Sequence, residues 1–140
     1  MRMIHALIIV LLILPFLGNA QLTGKWKTIS DQDGTEKSIV EIYEKDGLLF
    51  GKVVKLLPAA KDRHCTRCPG DMKNTPIEGM VILKNLVRTG NGLAEGKVID
   101  PGTGKAYNCL LQLQDSDTVK IRGYVGVPTI GRTQYWKRVL

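Results

Sequence analysis

Turn-forming residues recur about every eight to twelve positions along this sequence, with short β-type segments between them. Two of the turns contain Asp46-Gly47 and Asn91-Gly92, dipeptides that strongly indicate two-residue β-hairpins. Hairpins place consecutive strands side by side, so the sequence predicts an antiparallel meander. The eight predicted strands are Gly24–Ser30, Lys37–Lys45, Leu48–Leu57, Met80–Arg88, Leu93–Asp100, Lys105–Gln114, Thr118–Val125 and Gly131–Val139.

Eight tilted strands can close into a barrel that removes exposed sheet edges and holds side chains or one small ligand. Closure pairs the last strand with the first and brings Arg138 near Gly24-Lys25-Trp26. A Gly-x-Trp motif with an arginine over the indole resembles the end plug of lipocalins, and such a cation–π contact contributes roughly 0.5–2 kcal/mol. The sequence therefore predicts an all-β fold, an eight-stranded up-and-down antiparallel barrel of lipocalin or calycin type. Because no helix follows the last strand, the likeness is one of topology and does not transfer lipocalin ligands.

Residues 1–20 have the composition of a signal peptide. Arg2 precedes an apolar run from Ala6 to Leu14, and the small residues Gly18-Asn19-Ala20 follow. The apolar run is shorter than the roughly 20 residues that a membrane-spanning helix needs, which favours a cleaved signal over an anchor. We predict cleavage after Ala20, a periplasmic or secreted protein, and one β-barrel domain over residues 21–140.

The charge of the chain is moderately basic, with 20 Lys and Arg against 13 Asp and Glu and a formal net charge of +7. Loss of Arg2 with the predicted signal peptide lowers this to +6. The lysines are scattered without a long run, which favours a solvated surface over a nucleic-acid partner. Stable membrane insertion after cleavage is not predicted, and the oligomeric state is not determined by these patterns.

Eight short motifs are spread in order along the chain after residue 20. They are Gly24-Lys25-Trp26, Val40-Glu41-Ile42-Tyr43, Cys65-x-x-Cys68, Ile99-Asp100-Pro101, Gly104-Lys105-x-Tyr107, Arg122-Gly123-Tyr124-x-Gly126, Gly131-Arg132 and Trp136-x-Arg138. With these motifs the chain resembles, over essentially its whole length after residue 20, one bacterial secreted family, "domain of unknown function 2147". The resemblance implies a lipocalin-like barrel in the bacterial envelope. It implies no established activity and supplies no catalytic residues.

Charged and aromatic residues share strand faces on which a simple core strand would carry aliphatic residues, because alternate residues of a strand point the same way. If these faces point inward, Glu41 is the expected partner of Arg122 or Arg132. One hypothesis is a ligand pocket in which one arginine remains to bind an anionic group in a bidentate manner. An internal network without a cavity and an outward, solvated face are the alternatives. The predicted ligand-binding residues are Glu41, Tyr43, Arg122, Tyr124, Arg132 and Trp136.

The long irregular stretch at about 58–78 contains Cys65 and Cys68, and a third cysteine, Cys109, lies in a predicted strand. A structural disulfide is favoured in an oxidising compartment, and any pairing leaves one thiol over. A zinc site completed by Cys109 or His64 is a weaker alternative, since only one Cys-x-x-Cys is present. A redox-active dithiol is also a weaker alternative, because Pro69-Gly70 follows the motif in an all-β context, where a helix start in a βαβ unit would be expected. No other cofactor is predicted.

Three classes of function are compatible with these features. The first is a binding module for a small anionic or amphipathic molecule. The second is a structural or protein-interaction barrel with a filled interior, and the third is a metal or redox protein that uses Cys65, Cys68 and Cys109. No catalytic residues are predicted, because His64 is the only histidine after residue 20 and the Asp100–Lys105 segment has the composition of a turn.

Overall fold

The computed structural model describes residues 21–140 and shows the eight predicted strands. The predicted signal peptide, residues 1–20, lies outside the described residues and stays a prediction. Strand bounds differ from the predicted ones by at most two residues. The strands are β1 (Gly24–Ile29), β2 (Glu36–Lys45), β3 (Leu48–Leu56), β4 (Val81–Gly90), β5 (Leu93–Asp100), β6 (Lys105–Asp115), β7 (Thr118–Tyr124) and β8 (Gly131–Arg138).

The strands form a closed barrel in which each pairs with its neighbours in sequence. All pairings are antiparallel, and β1 pairs with β8 as well as with β2. In the closing ladder Trp26 lies opposite Arg138 and Lys27 opposite Lys137. Closure pairs the two strands that would otherwise be sheet edges. The predicted eight-stranded up-and-down barrel is therefore confirmed.

The barrel interior is packed with apolar side chains at only one end. That end is formed by the start of β1 and by the hairpins β2–β3, β4–β5 and β6–β7, and we call it the closed end. The opposite end is surrounded by the longer connections, and we call it the mouth. Fully or almost fully buried apolar side chains that fill the closed end are Trp26, Leu49, Leu86, Ala94, Leu111 and Val119.

The pairing of β3 with β4 is irregular at Gly51, where a bend is predicted from the sequence. The register shifts on both sides of Gly51. A Cβ atom at this position would lie 2.6 Å from Leu83 Cδ1, so a side chain there would displace Leu83. The absence of a side chain thus lets β4 cross close to β3, as a bent barrel wall requires.

The long connection between β3 and β4 corresponds to the irregular stretch predicted at about 58–78. It contains one short 3₁₀ turn, Gly70–Met72, and an isolated bridge between His64 and Pro76. Its two ends are tied to the barrel, since Leu57 N donates to Lys37 O and Val53 N donates to Met80 O. Within residues 21–140 no helix is long and apolar enough to cross a membrane.

Candidate ligand-binding cavity

The closed end is sealed by Trp26 and Arg138, which the sequence predicts to lie together. The Arg138 guanidinium carbon lies 4.2 Å from the centroid of the Trp26 ring, a distance typical of a cation–π contact. Trp26 is fully buried, and its Nε1 donates to Leu22 O over 2.8 Å. The Arg138 guanidinium also donates to three backbone carbonyls, at Ser116, Thr23 and Gln21, and so ties the chain before β1 to the β6–β7 turn.

The glycine of the Gly24-Lys25-Trp26 motif is explained by backbone conformation and by the space available beside it. Gly24 adopts a φ of +126°, which disfavours any residue with a side chain. A Cβ atom there would also lie 2.7 Å from Arg138 Nη1. Glycine at this position therefore gives the Arg138 guanidinium room to lie over the indole two residues later.

The mouth opens into a cavity of about 780 Å³. Four connections surround it: the β1–β2 turn, the β3–β4 connection, the β5–β6 turn and the β7–β8 loop. The volume is within the range of small-molecule sites. The interior is therefore filled at one end and open at the other, which differs from the fully filled interior of the second hypothesis. Apolar lining residues include Val53, Leu56, Ile77, Ile82, Val98 and Ile121.

One wall of the cavity carries a chain of polar contacts that begins at a buried tryptophan. Trp136 Nε1 donates to Gln134 Oε1 over 3.0 Å, and Gln134 Nε2 donates to Asp31 Oδ1 over 3.2 Å. Arg132 completes the chain at the rim, where Nε and Nη2 approach Asp31 Oδ2 at 2.8 and 2.7 Å. Because Arg132, Gln134 and Trp136 alternate along β8, they lie on one inward face. Asp31 reaches this face from the β1–β2 turn. We call Trp136, Gln134, Asp31 and Arg132 the polar wall.

The carboxylate of Asp31 is held ionised by its neighbours. Partial burial acts to raise the pKa of Asp31, but hydrogen bonds from Gln134 and Arg132 outweigh it, and the pKa lies below its ordinary value. The Arg132 side chain is 61% exposed, so this ion pair lies at the edge of solvent. Only Nε and Nη2 of Arg132 contact Asp31, which leaves Nη1 without a hydrogen-bond partner among the described residues.

The structure places Glu41 and Tyr43 on the outer face of β2, away from the cavity. The buried residues of this strand are Ser38, Val40 and Ile42, which alternate with them. Tyr43 stacks on Phe50 of the neighbouring strand, with ring centroids 5.9 Å apart. The predicted pairing of Glu41 with an interior arginine is therefore wrong, and Asp31 takes that role for Arg132.

Arg122 also lies outside the barrel, which contradicts its predicted place in the pocket. Its register partner on β8 is Thr133, and Arg122 Nη1 donates to Thr133 Oγ1 over 2.8 Å. The same guanidinium donates to the carbonyls of Pro128 and Thr129 in the β7–β8 loop. Of the predicted ligand-binding residues, only Tyr124, Arg132 and Trp136 line the cavity.

The lining residues that sequence reasoning missed include Asp31, Tyr107 and Gly123. Asp31 belongs to a run that has the composition of a turn, so nothing local indicates its arginine partner a hundred residues later. Tyr107 shares its strand face with Cys109 and Leu111, and this alternation was the available signal for an inward tyrosine. Gly123 lies opposite Arg132 in the β7–β8 ladder and contributes space to the cavity.

The structure joins Cys65 to Cys68 in a disulfide and leaves Cys109 as a buried free thiol. The disulfide-bonded turn packs against the β5–β6 turn, since Cys65 Sγ lies 3.3 Å from Pro101 O. Among residues 21–140 no three His, Cys, Asp or Glu side chains form a cluster suited to a metal ion. Cys109 lies between Gly96 and Gly123 in the barrel wall. Its side chain is buried, whereas reactive thiols are partly exposed in electropositive surroundings.

We expect Cys109 to resist alkylation while the protein is folded. Burial raises the pKa of its thiol to about 12, so the reactive thiolate is scarce at mildly alkaline pH. Iodoacetamide and intact-mass measurement should show no adduct on the native protein, one after unfolding without reductant, and three after unfolding with reductant. Rapid labelling of the native protein, or an unfolded protein that labels three times without reductant, would contradict this arrangement.

A closed eight-stranded antiparallel barrel with one sealed end and one open cavity defines a lipocalin-like protein. Comparison with solved structures agrees: the chain is similar to protein HP1028 from Helicobacter pylori, whose report states that it belongs to the lipocalin family. The TM-score is 0.75 at 21% identity, over 85% of this chain and 83% of that one, which shows a shared fold. The chain belongs to the family described as "Uncharacterized protein conserved in bacteria", domain of unknown function 2147, whose model matches residues 24–138. A search of curated proteins found no match.

Proposed function

We propose that this protein is a binding module that holds one small amphipathic molecule in the mouth cavity. The observation that carries the proposal is the division of the interior, with a packed closed end below a cavity of about 780 Å³. A barrel that served only as a scaffold would gain stability from filling this space, since apolar burial contributes about 25 cal/mol per Å².

The cavity lining matches a ligand with an apolar body and a polar head. Ile82, Val98 and Ile121 line the interior, and a hydrocarbon or flat apolar body is expected to pack against them. The head then lies at the polar wall, where Nη1 of Arg132 remains available. Because Asp31 already neutralises Arg132, the site favours a weakly anionic or neutral hydrogen-bonding head over a multiply charged anion.

Filling the cavity from its wall tests the proposal. A Cβ atom at Gly123 would lie 3.8 Å from Tyr107 Cβ and 3.9 Å from Val98 Cγ1, which are ordinary contacts. Leucine at this position should therefore enter the cavity without disturbing the strand. We expect Gly123→Leu to weaken binding of a dansyl-labelled fatty acid at least about tenfold, which is about 1.4 kcal/mol. Dansyl fluorescence in a titration of residues 21–140 measures the change.

The matched control is Lys120→Leu, which adds the same side chain to β7. Lys120 lies opposite the exposed Tyr135 and on the same strand face as Arg122, outside the barrel. This variant should bind the probe as the unchanged protein does. Equal affinity of Gly123→Leu and the unchanged protein, with both folded by circular dichroism, would overturn the proposal. Native mass spectrometry of freshly purified protein is an independent test, which should detect a resident molecule.

A further inference from the structure

The β7–β8 connection exposes apolar side chains beside the cavity. It comprises residues 125–130, with the sequence VGVPTI, and we call it the rim loop. Val125, Val127 and Ile130 are 66%, 52% and 70% exposed. Val125 and Ile130 also line the cavity mouth. Water therefore contacts three large apolar side chains at the point through which a ligand enters, and such clustering marks an interaction surface.

The exposure of these side chains is imposed by a defined loop conformation. Val127 N donates to Val125 O and Ile130 N donates to Val127 O, each over 3.1 Å. From outside the barrel Arg122 contacts the Pro128 and Thr129 carbonyls and the hydroxyl of Thr133. These contacts fasten the loop to the outer face of β7 and β8. This is a role for Arg122 that differs from the predicted one in ligand binding.

The segment that carries the rim loop is strongly basic. Residues 118–140 contain five basic residues and no acidic one, so they supply most of the +6 charge of residues 21–140. Arg132 is neutralised by Asp31, and Arg138 lies over Trp26. The remaining three cations share the outer face of β7 and β8, but at different heights: Arg122 lies beside the loop, Lys120 lies further along β7, and Lys137 lies opposite Thr118 toward the closed end. The carboxylates that line the mouth are Asp31, Asp33, Asp62 and Asp100, of which Asp31 is paired with Arg132, and the lysines Lys37 and Lys61 line the same mouth.

We propose that the rim loop docks on an anionic lipid surface, with its valines and isoleucine in the headgroup region and Arg122 and Lys120 as the cations of the outer barrel face nearest to that surface. Apolar burial at an interface together with basic residues beside it is the combination that gives reversible membrane binding. Docking would place the cavity mouth against the bilayer. Exchange of an amphipathic molecule between bilayer and cavity then follows, a step that rests on the proposed function.

Flotation with lipid vesicles tests the docking surface. Residues 21–140 should float with vesicles of phosphatidylcholine and phosphatidylglycerol, and should not float with phosphatidylcholine alone. Serine at Val125, Val127 and Ile130 together should reduce the vesicle-bound fraction at least about tenfold, since three apolar side chains then no longer leave water. Added salt should weaken docking, because surface charge is screened over about 10 Å at 0.1 M.

The matched control is Val87→Ser. Val87 is 52% exposed, as Val127 is, but it lies on β4 toward the closed end. It should leave vesicle binding unchanged. Arg122→Gln, which removes one outer cation and its contacts to the loop, should lower vesicle binding while the dansyl-labelled fatty acid still binds. Equal flotation with both kinds of vesicle, or no loss in the triple serine variant, would overturn the proposal.

Docking and cavity binding are separated by two variants. Gly123→Leu should lose the dansyl-labelled fatty acid and still float with anionic vesicles. Val127→Ser, which changes the one exposed apolar side chain of the rim loop that does not line the cavity, should bind the labelled fatty acid and float less well. If the unchanged protein does not float and instead forms a stoichiometric complex with a purified envelope protein through the rim loop, the lipid surface is the wrong partner and the proposal fails.

Discussion

Replacing Trp26 by alanine is expected to lower the free energy of unfolding by about 3–5 kcal/mol, the range for a large aromatic side chain removed from a packed core. Trp26 is fully buried, contacts Arg138 through its ring face and donates to Leu22 O. Its loss leaves a void at the closed end and exposes the join between β1 and β8. Urea unfolding followed by circular dichroism measures the change, which is a large share of the stability of a single domain.

Two variants show whether this loss arises from the end plug. Arg138→Met keeps an apolar chain of similar length but removes the charge over the ring, and should cost roughly 0.5–2 kcal/mol. Tyr135→Ala truncates an aromatic residue that is half exposed on the outer face of β8, and should change stability by about 0.5 kcal/mol or less. If Trp26→Ala were as mild as Tyr135→Ala, the closed end would not depend on the tryptophan.

Replacing Gly104 by alanine is expected to destabilise the protein by at least about 2 kcal/mol and to detach the disulfide-bonded turn from the barrel. Gly104 has a φ of +73°, and a Cβ atom there would lie 1.9 Å from Arg67 O. The backbone between Cys65 and Cys68 must move to relieve that overlap. Urea unfolding measures the stability, and limited proteolysis of the β3–β4 connection reports the detachment.

Gly34→Ala is the matched control, because Gly34 has a φ of +72° and no atom within 4 Å of an added Cβ. It should show only the strain of the positive φ, about 1 kcal/mol. The difference between the two variants measures the packing of the turn. Binding of the dansyl-labelled fatty acid should fall in Gly104→Ala alone, since Ala60 and Ile77 of the same connection line the cavity. Equal effects of the two substitutions would show that the contact with Arg67 is unimportant.

The positions of the eight strands could be read from the sequence because turn chemistry and side-chain alternation are local properties. The order of the strands followed from the short connections, and the meeting of Trp26 with Arg138 followed from closure. The inward direction of each strand was harder to infer. Alternation shows that Glu41 and Tyr43 share a face with Ile39, but Val40 and Ile42 make the opposite face equally suitable for the core.

The errors at Glu41 and Arg122 have a common physical cause. A period of two assigns residues to two faces and leaves open which face is buried, since a shift of one residue exchanges them. On β7 the choice is settled by Gly123, which faces inward opposite Arg132 and places Arg122 outside against Thr133. The outward arginine then binds the rim loop, a contact that involves backbone carbonyls and has no signal in side-chain pattern.

The sequence by itself determined the all-β class, the number and order of the strands, and the cysteines available for a cross-link. These follow from local propensity, turn residues and the short connections. The tertiary structure alone decided that Asp31 is the partner of Arg132, that the interior is packed at one end and open at the other, and that the rim loop exposes its apolar side chains. Each of these depends on the register and tilt with which the barrel closes, which set side chains from distant strands at contact distance.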